Sequence, residues 1–148
     1  MIQLITKRFN ELEASELYGI LKLRSQVFVV EQECIYQDLD GRDPEAIHVF
    51  LKDGGNVIAC LRVLPAGSLY EQVCIGRVVS AIRKKGHGGV ILKEGIRAAR
   101  EYFGADEIFI SAQTHAISFY SSAGFNIVTD EYMDDGIPHV GMLYKFEK

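Results

Sequence analysis

A β-branched strand, Ile75-Gly76-Arg77-Val78-Val79, runs into a basic, glycine-punctuated turn, Arg83-Lys84-Lys85-Gly86-His87-Gly88-Gly89, and then directly into an apolar helical pattern at Val90-Ile91-Leu92. No other stretch constrains the fold as much. The first N–H groups of a helix have no intrahelical partner, and the helix dipole adds partial positive charge there. Glycines remove the Cβ atoms that would hold a ligand away, and the adjacent cations add full charge. The turn is therefore a candidate phosphate or pyrophosphate cradle. The same residues also make an ordinary solvated loop, so the turn alone does not decide. Two named patterns fail on spacing. The P-loop needs Gly-Lys-Ser/Thr after its second glycine, and the dinucleotide fingerprint needs a third glycine where Ile91 stands.

The 148 residues suit a single domain, 1–148, able to bury about two-thirds of its unfolded surface. A net charge of -4, with no basic face beyond 83–85, argues against a nucleic-acid partner. No apolar run approaches the ~20 residues of a membrane span, and Met1-Ile2-Gln3-Leu4 is followed by Lys7 and Arg8 instead of a signal peptide. Cys34, Cys60 and Cys74 form neither a CxxC nor a metal-ligand spacing. An odd, scattered set reads as reduced thiols of a cytoplasmic protein, with no metal site.

The pattern begins with a strand over 2–9, then a helix from Ser15, its N-cap, through Val27-Phe28. Two strands, 47–51 and 57–64, flank Asp53-Gly54-Gly55-Asn56, a hairpin signal. A strand at 72–79, a helix through Phe103, a strand at 108–112, a short helix at 115–122 and two strands at 125–133 and 138–146 complete the order. This is an α/β chain of the α+β type: a mixed central sheet flanked by helices, in three layers.

At these residues the sequence resembles the GNAT superfamily of acyl-CoA-dependent N-acyltransferases, whose element order it follows over nearly its whole length. Arg83-Lys84-Lys85-Gly86-His87-Gly88 matches the Q/R-x-x-G-x-G/A acyl-CoA loop, and Ala116-Ile117-Ser118-Phe119-Tyr120-Ser121-Ser122-Ala123-Gly124-Phe125 matches the second signature, A-x-x-x-Y-x-x-x-G-F. The runs Arg24 to Gln32, Ile75 to Val79, Ser111 to His115 and Asp135 to Met142 resemble the ElaA-like branch. Gln113 stands where many members carry Asn. Gly89 and Gly95 weaken their helix by about 1 kcal/mol each relative to Ala; close backbone approach accounts for Gly89, and the pattern explains nothing at Gly95.

The resemblance implies acetyl-CoA as cosubstrate and direct attack of an amine on the thioester. Val78 and Val79 would hold the pantetheine, with the Val79 N–H as oxyanion donor. Arg83, Lys84, Lys85, Gly86, His87, Gly88 and Gly89 would hold the pyrophosphate, and Gln113 would add a hydrogen bond. Tyr120 takes the proton donor's position, although an aromatic there also suits plain core packing. Glu31, His48, His115 and His139 are alternatives for the base, with Glu31 and His139 entered beside Tyr120 as catalytic candidates. Arg77 is read as the partner of a carboxylate. The acidic residues Asp38, Asp40, Asp43, Glu131, Asp134 and Asp135 would favour a cationic amine if both loops face the acceptor. The acceptor, a small molecule or peptide amine, stays open, as does a homodimer. Two rivals remain. Arg24, Phe28, Asp38, Asp40, Asp43 and Arg62 also resemble the acyl-homoserine-lactone synthases, and a non-catalytic acyl-CoA-binding protein would keep the loop.

Overall fold

The computed structural model describes residues 1–32, 38–82 and 85–147. Arg83, Lys84 and Cys34, named above, lie outside them. The chain runs β1 (Ile2–Arg8), α1 (Ala14–Arg24), β2 (Ile47–Asp53), β3 (Asn56–Leu64), β4 (Val73–Ser80), α2 (His87–Phe103), β5 (Glu107–Gln113), α3 (Ile117–Ser122), β6 (Asn126–Ile127), β7 (Tyr132–Asp134) and β8 (Ile137–Lys145). The sheet order is β1-β2-β3-β4-β5-β8-β6, with β7 also on β8. Only β4 and β5 pair in parallel among the described strands.

Alternation along the strands divides the core between two faces. Val49, Leu61 and Ile75 pack with Ile91, Leu92 and Ala99 of α2. Phe50, Cys60 and Val79 turn the other way, onto Ile20 and Leu23 of α1. The expected three layers follow from these two apolar faces. Gly95 now has its explanation: a Cβ there would lie 3.1 Å from both Leu61 methyls and 3.4 Å from Ile75 Cδ1, so the helix seats directly on the sheet. At Gly89 no atom lies within 4 Å of such a Cβ, so close packing within the protein is not its reason.

Three local expectations change. The N-cap of α1 is Glu13, not Ser15, and the Glu13 N–H donates to Glu16 Oε1 at 2.9 Å. The helix does not continue as α through Phe28; it widens into a π-helical turn over Ser25–Glu31, in which the Gln32 N–H donates to the Val27 carbonyl at 3.2 Å. The strand expected over 125–133 is split into β6 and β7. Between them the Gly141 N–H donates to Thr129 Oγ1 at 2.7 Å, a side chain standing in for the backbone ladder. Gly141 permits this, since a Cβ there would lie 2.6 Å from Thr129 Cγ2.

Candidate active site

The parallel pair β4–β5 is registered only at Val73↔Ile108 and Cys74↔Phe109. Beyond that point the two strands part, and a cavity of about 620 Å³ opens between and beside them. Its origin lies in β4. Between Cys60↔Val79 and Arg62↔Gly76, Leu61 of β3 stands against both Arg77 and Val78, and Arg77 takes φ 51°. An extra residue bends and twists a strand, which swings the end of β4 away from β5. The Ala81 N–H donates to Ile58 O at 2.8 Å. Strand alternation then turns the Val79 N–H toward β3 as well, leaving the N–H groups of Val78 and Ser80 on the open side. The Val79 N–H, expected as the oxyanion donor, is thus turned away from the open side.

Val78, Val79, Gly88, Gln113, Tyr120 and His139 all line this one cavity. Tyr120 is 8% exposed, held against Phe119 and Phe125 in edge-on ring contacts at 5.0 and 5.9 Å. Its hydroxyl bonds to none of the described residues, and burial pushes its pKa up. His139, also 8% exposed, lies on β8 opposite Gln113 and stacks on Tyr132. Its Nδ1 is 2.7 Å from the Ile137 carbonyl. A carbonyl only accepts, so Nδ1 carries a proton, which in the neutral ring leaves the lone pair on Nε2. Gln32 Nε2 donates to Gln113 Oε1 at 3.2 Å and Gln113 Nε2 donates back to Gln32 Oε1 at 3.4 Å, while His115 Nε2 also meets Gln113 Oε1.

The other candidates fall elsewhere. Glu31 is exposed and does not line the cavity; its neighbour Gln32 does. His48 is 1% exposed, its Nε2 bound to the Asp43 carbonyl and its pKa lowered by burial, so it supports the floor instead of meeting a substrate. Lys85, Gly86 and His87 form the start of α2, with Gly86 at φ 76°. Gly89 lines a second cavity of about 400 Å³ between α2 and α3.

Beneath the mouth lies a lattice of three arginines and three aspartates. Arg24 bonds Asp38 and Asp43, Arg62 bonds Asp40 and Asp43, and Arg77 bonds Asp38 at 2.8 Å. The expected carboxylate partner of Arg77 is thus Asp38, and the first acidic loop is neutralised within the fold. Hydrogen bonds from Arg62 hold the Asp40 carboxyl far below its usual range, and Arg24 and Arg62 outweigh burial to lower Asp43. Ser111, Tyr70 and Gly76 also line the cavity, and Ser111 Oγ lies 2.5 Å from Oη of Tyr132, which does not line it. The sequence assigned none of these residues a role in the site.

The splayed parallel pair, the bulge beside it and the glycine-started helix behind it together describe an acyl-CoA transferase framework. A family model described as "Acetyltransferase (GNAT) domain" matches residues 11–146, and the chain belongs to that family, in its ElaA-like branch. Escherichia coli ElaA is 37% identical over 96% of this chain and 95% of its own length, and its crystal structure superposes with a TM-score of 0.90 at 36% identity, over 98% of this chain and all of that one. An acyl-CoA N-acyltransferase from Pseudomonas aeruginosa gives 0.89 at 38% identity, over 96% and 99%. The synthase LasI gives 0.73 at 17% over 98% and 90%, which is a likeness of fold alone. No helix among the described residues is long and apolar enough to cross a membrane, and no group of three or more candidate ligands there would hold a metal.

Proposed function

We propose that the chain is an acetyl-CoA-dependent N-acetyltransferase that joins an acetyl group to a primary amine by direct attack within a ternary complex. The observation that carries this reading is the meeting of Tyr120 and His139 in one cavity, both nine-tenths buried, with the Tyr120 hydroxyl and His139 Nε2 lacking a partner among the described residues. Both residues line the cavity, where a reacting substrate would give each atom a partner. The thioester lies between β4 and β5, its pantetheine amides on the free edge of β4. The pyrophosphate sits at the start of α2, where Gly86 and Gly89 leave open space. His139 Nε2 takes the proton that the amine sheds. The amine nitrogen bonds the acetyl carbon, the Val78 or Ser80 N–H donates to the oxyanion, and the C–S bond breaks. Tyr120 donates its proton toward the leaving sulfur. Since burial raises the phenol's pKa and a free thiol sits near 8.5, its chief effect is a hydrogen bond to the developing thiolate. The free thiols Cys60 and Cys74 are consistent with the cytoplasmic setting of this reading.

The test measures coenzyme A release over a panel of amines for wild type, Tyr120→Phe and His139→Gln, with acetyl-CoA affinity measured separately. Tyr120→Phe is expected to lower kcat by about 100-fold or more with affinity for acetyl-CoA retained. His139→Gln should lower kcat with acetyl-CoA affinity retained. Wild-type turnover in Tyr120→Phe removes its assignment as proton donor, and failure of the chain to bind acetyl-CoA removes the whole reading.

A further inference from the structure

Left-handed backbone is uncommon for a residue that carries a Cβ, and among the described residues other than glycine only Arg77 and Asp135 adopt it. Asp135 stands in the tight β7–β8 turn beside Gly136. Arg77 stands inside β4, at the point where Leu61 faces two residues. A bulge that needs this conformation usually places glycine there. Here the glycine is one position away: Gly76 stays outside the left-handed region, although a Cβ on it would meet nothing within 4 Å. The strained conformation thus falls on the long cationic side chain, not on the neighbour that would adopt it freely.

The partners of that side chain say what it does. Arg77 Nε donates to Asp38 Oδ1 at 2.8 Å, and Nη2 donates to the Asp38 carbonyl at 3.0 Å. Arg24 Nε donates to the other carboxylate oxygen at 3.0 Å, and its Nη2 to the same carbonyl at 3.3 Å. Asp38 is 5% exposed, so water screens these charge-assisted bonds little. Arg24 is the last residue of α1, and the π-helical turn after it carries Val27 and Phe28 to the cavity wall. One buried aspartate therefore ties the left-handed residue of β4 to the end of α1. Beyond Arg77 the chain continues into Val78, Val79 and Ser80, all on the cavity, and the bend of this edge depends on where the extra residue sits.

We infer that Arg77 is a positioning residue for the acyl-CoA site: its tether to Asp38 fixes the bulge, and with it the edge of β4 that receives the pantetheine. This rests on the acetyltransferase reading but has a readout of its own.

Arg77→Gly isolates the tether, because glycine accepts φ 51° without strain while losing both bonds to Asp38. Hydrogen exchange is followed on the full chain at the amides of Val79 and of Ala81, which is bound to Ile58 O at 2.8 Å. Amides of β2 serve as the reference for global opening. Acetyl-CoA affinity is measured by calorimetry, and melting curves check the fold. In Arg77→Gly the two amides should exchange about fivefold or more faster relative to β2, and acetyl-CoA affinity should fall about fivefold or more. Arg77→Lys keeps the charge without the paired donors and should recover part of both. Should Arg77→Gly fail to fold, Arg77→Lys is read in the same way. Unchanged exchange with unchanged affinity would overturn the inference, as would faster exchange with affinity intact. Lower affinity with unchanged exchange would make Arg77 a direct ligand contact and overturn its positioning role. Absent acetyl-CoA binding by the wild-type chain would instead overturn the donor reading, and the exchange comparison would then decide the tether alone.

Discussion

At the scale of single residues, the arginine–aspartate lattice shows how burial changes what a charge means. Asp43 is 6% exposed and accepts from both Arg24 and Arg62, at 2.8 and 3.1 Å. Removing one partner from a buried pair strands the other, at a cost of about 3–5 kcal/mol. Asp43→Asn is therefore expected to destabilise the fold by that order in denaturant titrations, against little change for Glu101→Gln, whose pairing with Arg97 is exposed. The motif residues Tyr120, Gly86 and Gly88 were legible in the chain because each answers to a local demand. The engagement of Asp38, Asp40 and Asp43 was not, since the three arginines come from α1, β3 and β4.

At the scale of elements, α2 carries contrasting glycines. Gly95 touches Leu61 and Ile75, and Gly86 holds φ 76° before the first turn. Gly95→Ala should be nearly neutral, because about 1 kcal/mol of helix propensity offsets a mild clash. Gly95→Leu should cost roughly 1–3 kcal/mol or more from overpacking. Gly86→Ala should cost about 1–2 kcal/mol from its left-handed backbone and should also weaken acetyl-CoA binding. Thermal melts beside acetyl-CoA titrations separate these outcomes. The π-helical turn is a further feature of this scale. Periodicity assigned Val27 and Phe28 to an ordinary α stripe, but the wider turn brings both onto the cavity wall. A single added backbone register is invisible to apolar spacing.

At the scale of the whole molecule, the depressed carboxyls couple stability to acid. Asp40, Asp43 and Glu16 all have folded pKa values below their ordinary ones: Arg62 holds Asp40, while burial at Asp43 and Glu16 is outweighed by their hydrogen-bonding partners. A depressed carboxyl stabilises the fold above its unfolded value, about 4, and that contribution is lost as pH falls through the folded value. Melting temperature should therefore fall below about pH 4. His48, lowered by burial, adds a smaller loss beginning below its ordinary value of 6.5. In Asp43→Asn the acid-dependent part should shrink, a difference that melts taken across the pH range would read.

By itself the sequence determined the strand–turn–helix unit, the element order and the family, because glycine backbone freedom, apolar periodicity and motif spacing are all local in the chain. It also placed Tyr120 and His139 among the candidates for one reaction. Only the tertiary structure decided that they share a cavity while Glu31 stays outside it, and that one acidic loop is neutralised while the other faces the cavity. Those outcomes depend on the bulge at Arg77 and the parting of β4 from β5, which join residues far apart in sequence. Charge near a site is a sum over elements, and no single segment contains it.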